Sequence, residues 1–62
     1  MTSAAVTFRQ TWHPGRRVQE IAAPYRKGSI RVALGTGVNA VIYVNLDGAH
    51  PASFRPGQLA LI

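Results

Sequence analysis

The sequence predicts an all-β domain of about five short strands, arranged as a small barrel or sandwich. Glycine and proline recur at intervals of about eight to twelve residues, which is the spacing expected of turns between short strands. The segments between these turns are rich in β-branched residues, which favour strands over helices. The predicted strands span residues 16–21, 29–34, 38–46, 51–54 and 58–62.

Alternation of side chains along three of these segments predicts which residues form the core. In the first strand Val18 faces inward, so Arg17 faces outward. In the second strand the inward residues are Ile30, Val32 and Leu34, which leaves Ser29, Arg31 and Ala33 outside. In the third strand the inward face is made of Val38, Ala40, Ile42, Val44 and Leu46.

The connections between strands follow from the turn residues. Asp47-Gly48 predicts a hairpin that makes strands three and four antiparallel neighbours, because glycine adopts positive φ without steric cost. Gly35-Thr36-Gly37 predicts a tight link between strands two and three, and the longer segment 22–28 predicts an exposed loop. Residues 1–11 are expected to form a flexible arm or an added edge strand, since termini fray unless they are docked.

Length and composition limit the sources of stability. The chain has 62 residues and no cysteine, so a small core must suffice without disulfides. The potential metal ligands His13, Glu20, Asp47 and His50 lack the paired spacing of a zinc site, so we expect neither a metal nor another cofactor. Self-association remains a route to added stability. No apolar run is long enough to cross a bilayer, and a cytoplasmic protein without membrane partners is expected.

The charge balance indicates an anionic partner. Seven Lys and Arg residues face two acidic residues, which gives a net charge of +5 and attraction to polyanions at low salt. Phosphate contacts by arginine combined with base stacking on an aromatic ring are typical of nucleic-acid binding. The candidate DNA- or RNA-binding residues are Arg16, Arg17, Tyr25, Arg26, Lys27 and Arg31, with Arg17 and Arg31 predicted on the outer face of paired strands.

Two other interpretations of these residues remain open. The cations form a solvated face that keeps the protein soluble, or the chain is a protein-interaction module that docks a partner or a second copy of itself. The candidate residues for protein contact are Trp12, Val41 and Tyr43. Trp12 also suits a lid over one end of the core, and the outward-facing Tyr43 and Val41 suit an interface.

The order "PGRRVQE", "KGSIRVAL", "AVIYVNLDG" and "FRPGQLALI" resembles the SH3-like barrel, particularly its KOW- and Tudor-like members. The resemblance covers residues 12–62 and implies a five-stranded SH3-like barrel domain. Taken with the arginines, it leads us to expect a non-enzymatic nucleic-acid-binding module, an accessory or regulatory factor that contacts phosphates through these arginines. A narrower likeness is to the plasmid type II dihydrofolate reductases. The chain departs from their catalytic Val-Gln-Ile-Tyr run at Ser53-Phe54-Arg55-Pro56, so no catalytic residues are carried over, and a reductase remains only a remote alternative.

Overall fold

An antiparallel β-sheet forms the body of the protein. The computed structural model describes residues 4–62, with side chains from Thr7 onward. The strands are β1 (Arg17–Glu20), β2 (Lys27–Leu34), β3 (Val41–Leu46), β4 (Ala52–Phe54) and β5 (Leu59–Leu61). The helix α1 (Ala4–Thr11) precedes the sheet, and short 3-10 helices lie at Gly37–Asn39 and Pro56–Gln58.

The strands follow the order β4-β3-β2-β1-β5, and every neighbouring pair is antiparallel. This confirms the predicted all-β class and the predicted β3–β4 hairpin, whose Gly48 has a φ of 70°. Within residues 4–62, β4 and β5 each occupy an edge and do not pair with each other. The sheet therefore does not close into a complete barrel.

The core lies on one face of this sheet. The buried hydrophobic side chains are Val18, Ile30, Ala40, Ile42, Val44, Leu46, Phe54 and Leu59. The first six were expected from strand alternation, and the last two extend the core onto β4 and β5. Burial of these side chains supplies the main favourable term in folding, because a chain of this length has little other apolar surface to remove from water.

A β-bulge in β2 corrects the predicted orientation of Val32 and Leu34. Ile30 pairs with Val44, but the next pair is Val32 with Tyr43, so Arg31 is an extra residue in β2. One extra residue exchanges the two faces of the strand beyond it. Val32 and Leu34 are consequently exposed on the outer face, and Ala33 packs against the core in their place.

The start of β3 also differs from the prediction. Val38 was expected in the core, but it lies in the 3-10 helix Gly37–Asn39 and is 83% exposed. Gly37 has a φ of 74°, and this left-handed conformation turns the chain into the 3-10 helix. The strand therefore begins only at Val41, and the alternation of the core face begins at Ala40.

Residues 4–11 form the helix α1, and this corrects the expected arm or edge strand over the part of 1–11 that the structure describes. Residues 1–3 lie outside the described residues. Phe8 and Trp12 are four positions apart, so they lie on the same side of the helix end. Their ring centroids are 6.2 Å apart, and both side chains pack against the core. This contact holds the end of the helix against the core.

Gly28 lies tightly against the backbone of β3. It pairs with Leu46, and a Cβ atom at this position would lie 2.9 Å from the Leu46 Cα and would also collide with the carbonyl oxygen of Asn45. Only a residue without a side chain allows the two paired strands to lie this close together at this point. Gly28 thereby sets the position of the outer-face residues on either side of it.

Candidate nucleic-acid interface

Three candidate cations share the outer face of the sheet. Gly28 and Ile30 of β2 are buried, so Lys27, Ser29 and Arg31 face outward along the same strand. Arg17 of β1 is also exposed and lies opposite Ser29. Arg17 and Arg31 are both exposed, with Arg17 opposite Ser29 and Arg31 at the bulge two residues further along β2. We call Arg17, Lys27 and Arg31 the basic half of this face.

Arg17 is held in place by side chains from two neighbouring segments. Its Nη1 donates to the Ser29 hydroxyl at 3.1 Å and to Asp47 Oδ1 at 3.0 Å, and its Nη2 donates to Asp47 Oδ2. The pair is a bidentate fork, a geometry that arginine provides and lysine does not. The hydrogen bond from Arg17 lowers the pKa of Asp47, and the hydrogen bond to Asp47 raises the pKa of Arg17.

The β1–β2 turn contains the second ion pair. Arg26 Nη1 lies 3.1 Å from Glu20 Oε2, and the Arg26 N–H donates to the Ala23 carbonyl. Glu20 Oε2 is buried and makes no hydrogen bond of good geometry, so the contact with Arg26 is an ion pair only. The carboxylate still holds the Arg26 side chain beside the turn. Arg26 is one of the three candidate binding residues in this segment.

Lys27 and Tyr25 complete the turn. The Lys27 ammonium donates a hydrogen bond to the Pro24 carbonyl at 2.6 Å. It forms no ion pair with a carboxylate among the described residues. The Tyr25 ring is 83% exposed and lines a shallow depression with Arg26, Leu46, Asp47 and Ala49. An exposed ring beside two cations has the arrangement required for base stacking next to phosphate contacts.

The backbone of Arg16 pairs with β2 next to the bulge. The Ile30 N–H donates to the Arg16 carbonyl at 2.9 Å, which places Arg16 beside the residue that precedes Arg31. Arg16 is half-buried and its Nε has no hydrogen-bond partner, whereas Arg31 is exposed. Neither side chain forms an ion pair within residues 4–62. Both carry charge that an anionic ligand can neutralise.

The two carboxylates of the chain compensate only Arg17 and Arg26. Of the seven Lys and Arg residues, the other five therefore lack a carboxylate partner within the described part of the chain. They are Arg9, Arg16, Lys27, Arg31 and Arg55. Two of these five lie in the basic half, and Arg16 lies beside it. Three of the five cations without a carboxylate partner thus lie on or beside β2.

The residues predicted for protein contact lie in two places. Trp12 packs against the core beside Phe8, as a lid does. Val41 and Tyr43 lie on the outer face, where they pair with Leu34 and Val32. Tyr43 is 39% exposed, Val32 37% and Leu34 54%. We call Val32, Leu34, Val41 and Tyr43 the apolar half of the outer face.

Asp47 and Arg55 belong to this surface, although neither was among the predicted site residues. Asp47 had been assigned only to a turn, but it directs the guanidinium of Arg17. Arg55 Nη1 donates to the Asn39 carbonyl at 2.6 Å, and Arg55 lines a depression together with Val41. Both contacts join residues that are distant in sequence, so only the strand register reveals them.

The remaining observations concern metals, membranes and related proteins. Residues 4–62 contain no cluster of three or more side chains suited to hold a metal ion. No helix among the described residues has the length and apolar character needed to cross a membrane. Comparisons with protein-family models, curated proteins and solved structures found no match.

Proposed function

We propose that the protein is a non-enzymatic, SH3-like nucleic-acid-binding module of the KOW type that contacts a DNA or RNA strand along the outer face of β2. The observation that carries this proposal is the uncompensated charge beside that strand. Arg16, Lys27 and Arg31 have no carboxylate partner within residues 4–62, so a phosphate that approaches these groups breaks no existing ion pair.

The spacing of the basic half suits a polyanion that follows the strand. Lys27 and Arg31 are four residues apart, which corresponds to about 13 Å at the usual rise of a β-strand. Arg17 lies between them, opposite Ser29. A nucleic-acid backbone laid along β2 therefore meets three cations in succession, with Tyr25 at the Lys27 end as a stacking surface.

The ion pair of Arg17 with Asp47 opposes binding at the centre of this site. A phosphate that contacts Arg17 must share the guanidinium with the carboxylate and approach a negative charge. We therefore expect Asp47→Asn to strengthen binding, whereas Arg31→Ala weakens it. These opposite effects separate binding at this face from general loss of structure, because a misfolded variant would only lose affinity.

The test is a salt titration of binding to a fluorescently labelled oligothymidylate and to a duplex of the same length. Arg31→Ala should reduce the slope of log affinity against log salt by about one, as expected for one lost phosphate contact. Arg9→Ala is the matched control, because it removes the same charge from the exposed surface of α1. Equal losses for the two variants, or no binding by the unmodified protein at low salt, would overturn the proposal.

Tyr25 offers a second measurement. Tyr25→Ala should weaken binding to the single strand by about 1 to 3 kcal/mol, the usual contribution of one stacked base, and should leave duplex binding nearly unchanged. Circular dichroism of each variant confirms that the sheet is intact. Equal effects on the two ligands would assign Tyr25 no stacking role.

A further inference from the structure

The apolar half of the outer face has the features of a docking surface for a protein. Val32 lies directly opposite Tyr43, and Leu34 lies directly opposite Val41, so the four side chains form one continuous patch. Their exposure follows from the bulge at Arg31, which points Val32 and Leu34 away from the core. An exposed group of large apolar side chains on one face is typical of an interaction site.

The charges around this patch are of one sign. Arg31 precedes Val32 on β2, and Arg55 lines a depression with Val41 at the opposite side. Asp47 lies four residues beyond Tyr43, about 13 Å along the strand, and is engaged by Arg17. Glu20 is engaged by Arg26 in the β1–β2 turn. The patch is therefore bordered by two arginines and by no carboxylate among the described residues.

We propose that the apolar half binds an acidic protein segment, one that presents apolar side chains flanked by carboxylates. Charge complementarity selects this occupant. A second copy of the chain would bring its own Arg31 and Arg55 against the same two residues, and like charges in an interface disfavour association. A nucleic acid would place phosphates over Val32, Leu34 and Val41, three aliphatic side chains that offer them neither charge nor hydrogen bonds.

The surface adjoins the proposed nucleic-acid site on β2, and Arg31 borders both of them. The four apolar side chains themselves begin at Val32 and are not part of the basic half. Leu34 and Tyr43 are more than one-third exposed, and substitution there leaves the core intact. The two functions are consequently separable by mutation.

The test uses a labelled synthetic helical peptide with a stripe of leucines flanked by glutamates, and the full chain. One control peptide carries lysine in place of every glutamate, and the other carries serine in place of every leucine. We expect the acidic apolar peptide to bind and both controls to bind at least about tenfold more weakly. Leu34→Ser and Tyr43→Ser should each reduce binding by a similar factor.

Val38→Ser is the matched protein control, because Val38 is apolar and 83% exposed but lies in the 3-10 helix outside the patch. Equal binding of the acidic and lysine peptides overturns the proposal, as does a loss with Val38→Ser that equals the loss with Leu34→Ser. Sedimentation showing a dimer that Leu34→Ser dissociates would identify a second copy as the occupant instead. Oligothymidylate binding that is unchanged in Leu34→Ser shows that the two sites are independent.

Discussion

The outer face of β2 divides at the bulge into two halves of different character. Before Arg31 the outward-facing side chains are polar or charged, and Arg17 of the neighbouring strand donates hydrogen bonds to both Ser29 and Asp47. Beyond Arg31 the exposed side chains are Val32 and Leu34, paired with Tyr43 and Val41. One inserted residue thus produces two neighbouring surfaces of different polarity on a single eight-residue strand.

The largest expected effect comes from deleting a single residue of β2, either Arg31 at this division or Ser29 before it. Deletion of Arg31 removes the bulge and keeps every observed pair of β2 with β3, so the free energy of unfolding should change by about 1 kcal/mol or less. Deletion of Ser29 instead shifts the register and moves inward residues outward, which should abolish folding. Urea denaturation monitored by circular dichroism measures both, and equal damage would show that Arg31 is not an extra residue.

The next effect concerns the tight packing of Gly28 in β2 against the backbone of β3. Gly28→Ala places a methyl group against the β3 backbone, so it should lower the free energy of unfolding by about 3 kcal/mol, the upper range for overpacking. Gly57→Ala is the control, since a Cβ there meets no atom within 4 Å and its φ is not positive. Thermal unfolding compares the two variants. A Gly28→Ala protein as stable as Gly57→Ala would contradict the close approach.

Two valines test the exchange of faces directly. Val44 is fully buried, so Val44→Ala should cost about 2 kcal/mol of unfolding free energy through lost burial and a cavity. Val32 lies on the outer face in the apolar half, so Val32→Ala should cost less than about 1 kcal/mol. Chemical denaturation measures both losses. Similar losses of unfolding free energy would show that Val32 is buried in the core, as strand alternation alone predicts, and would contradict the exchange of faces.

The smallest effect is the pH dependence of the basic half. The pKa of Asp47 is lowered below its usual 3.8 by the hydrogen bond from Arg17. Stability from this pair is therefore present above pH 3.8 and lost as the pH falls through the lower folded-state value. Because both groups are exposed, the contribution is small and screened by salt.

Asp47→Asn provides the comparison for this pH dependence. The stability difference between the two proteins should shrink as the medium becomes more acidic, because protonated Asp47 resembles the amide. Unfolding curves over an acidic pH series at low and high salt measure it. A difference that grows on acidification would contradict the direction of the pKa change.

Local patterns in the sequence predict most of the fold. Alternation over Ala40–Leu46 identifies the core of β3, and Asp47-Gly48 identifies the following hairpin. The face of Val18 was also predicted, and with it the outward orientation of Arg17. Each of these features depends on residues that are close together in the chain, where side-chain periodicity and turn conformation are decisive.

The missed features depend on contacts between distant residues. The alternation Ile30, Val32, Leu34 continues without interruption across the bulge, so nothing local marks Arg31 as an extra residue. The pair of Arg17 with Asp47 joins positions 30 residues apart, and it requires the register of three strands. Helix α1 has no acidic residue in its first turn, although the spacing of Phe8 and Trp12 was a usable signal.

The pairing of β1 with β5 has a consequence for the order of folding. β1, β2, β3 and β4 follow one another along the chain and pair as neighbours, whereas β5 pairs with β1, where Leu61 lies opposite Val18. Closing so long a loop costs more entropy than forming the local hairpins. We expect Ile42→Val to slow folding and Leu59→Ala mainly to speed unfolding, which stopped-flow kinetics would resolve. The β1–β2–β3–β4 meander then forms first, and β5 joins the edge of β1 after the transition state.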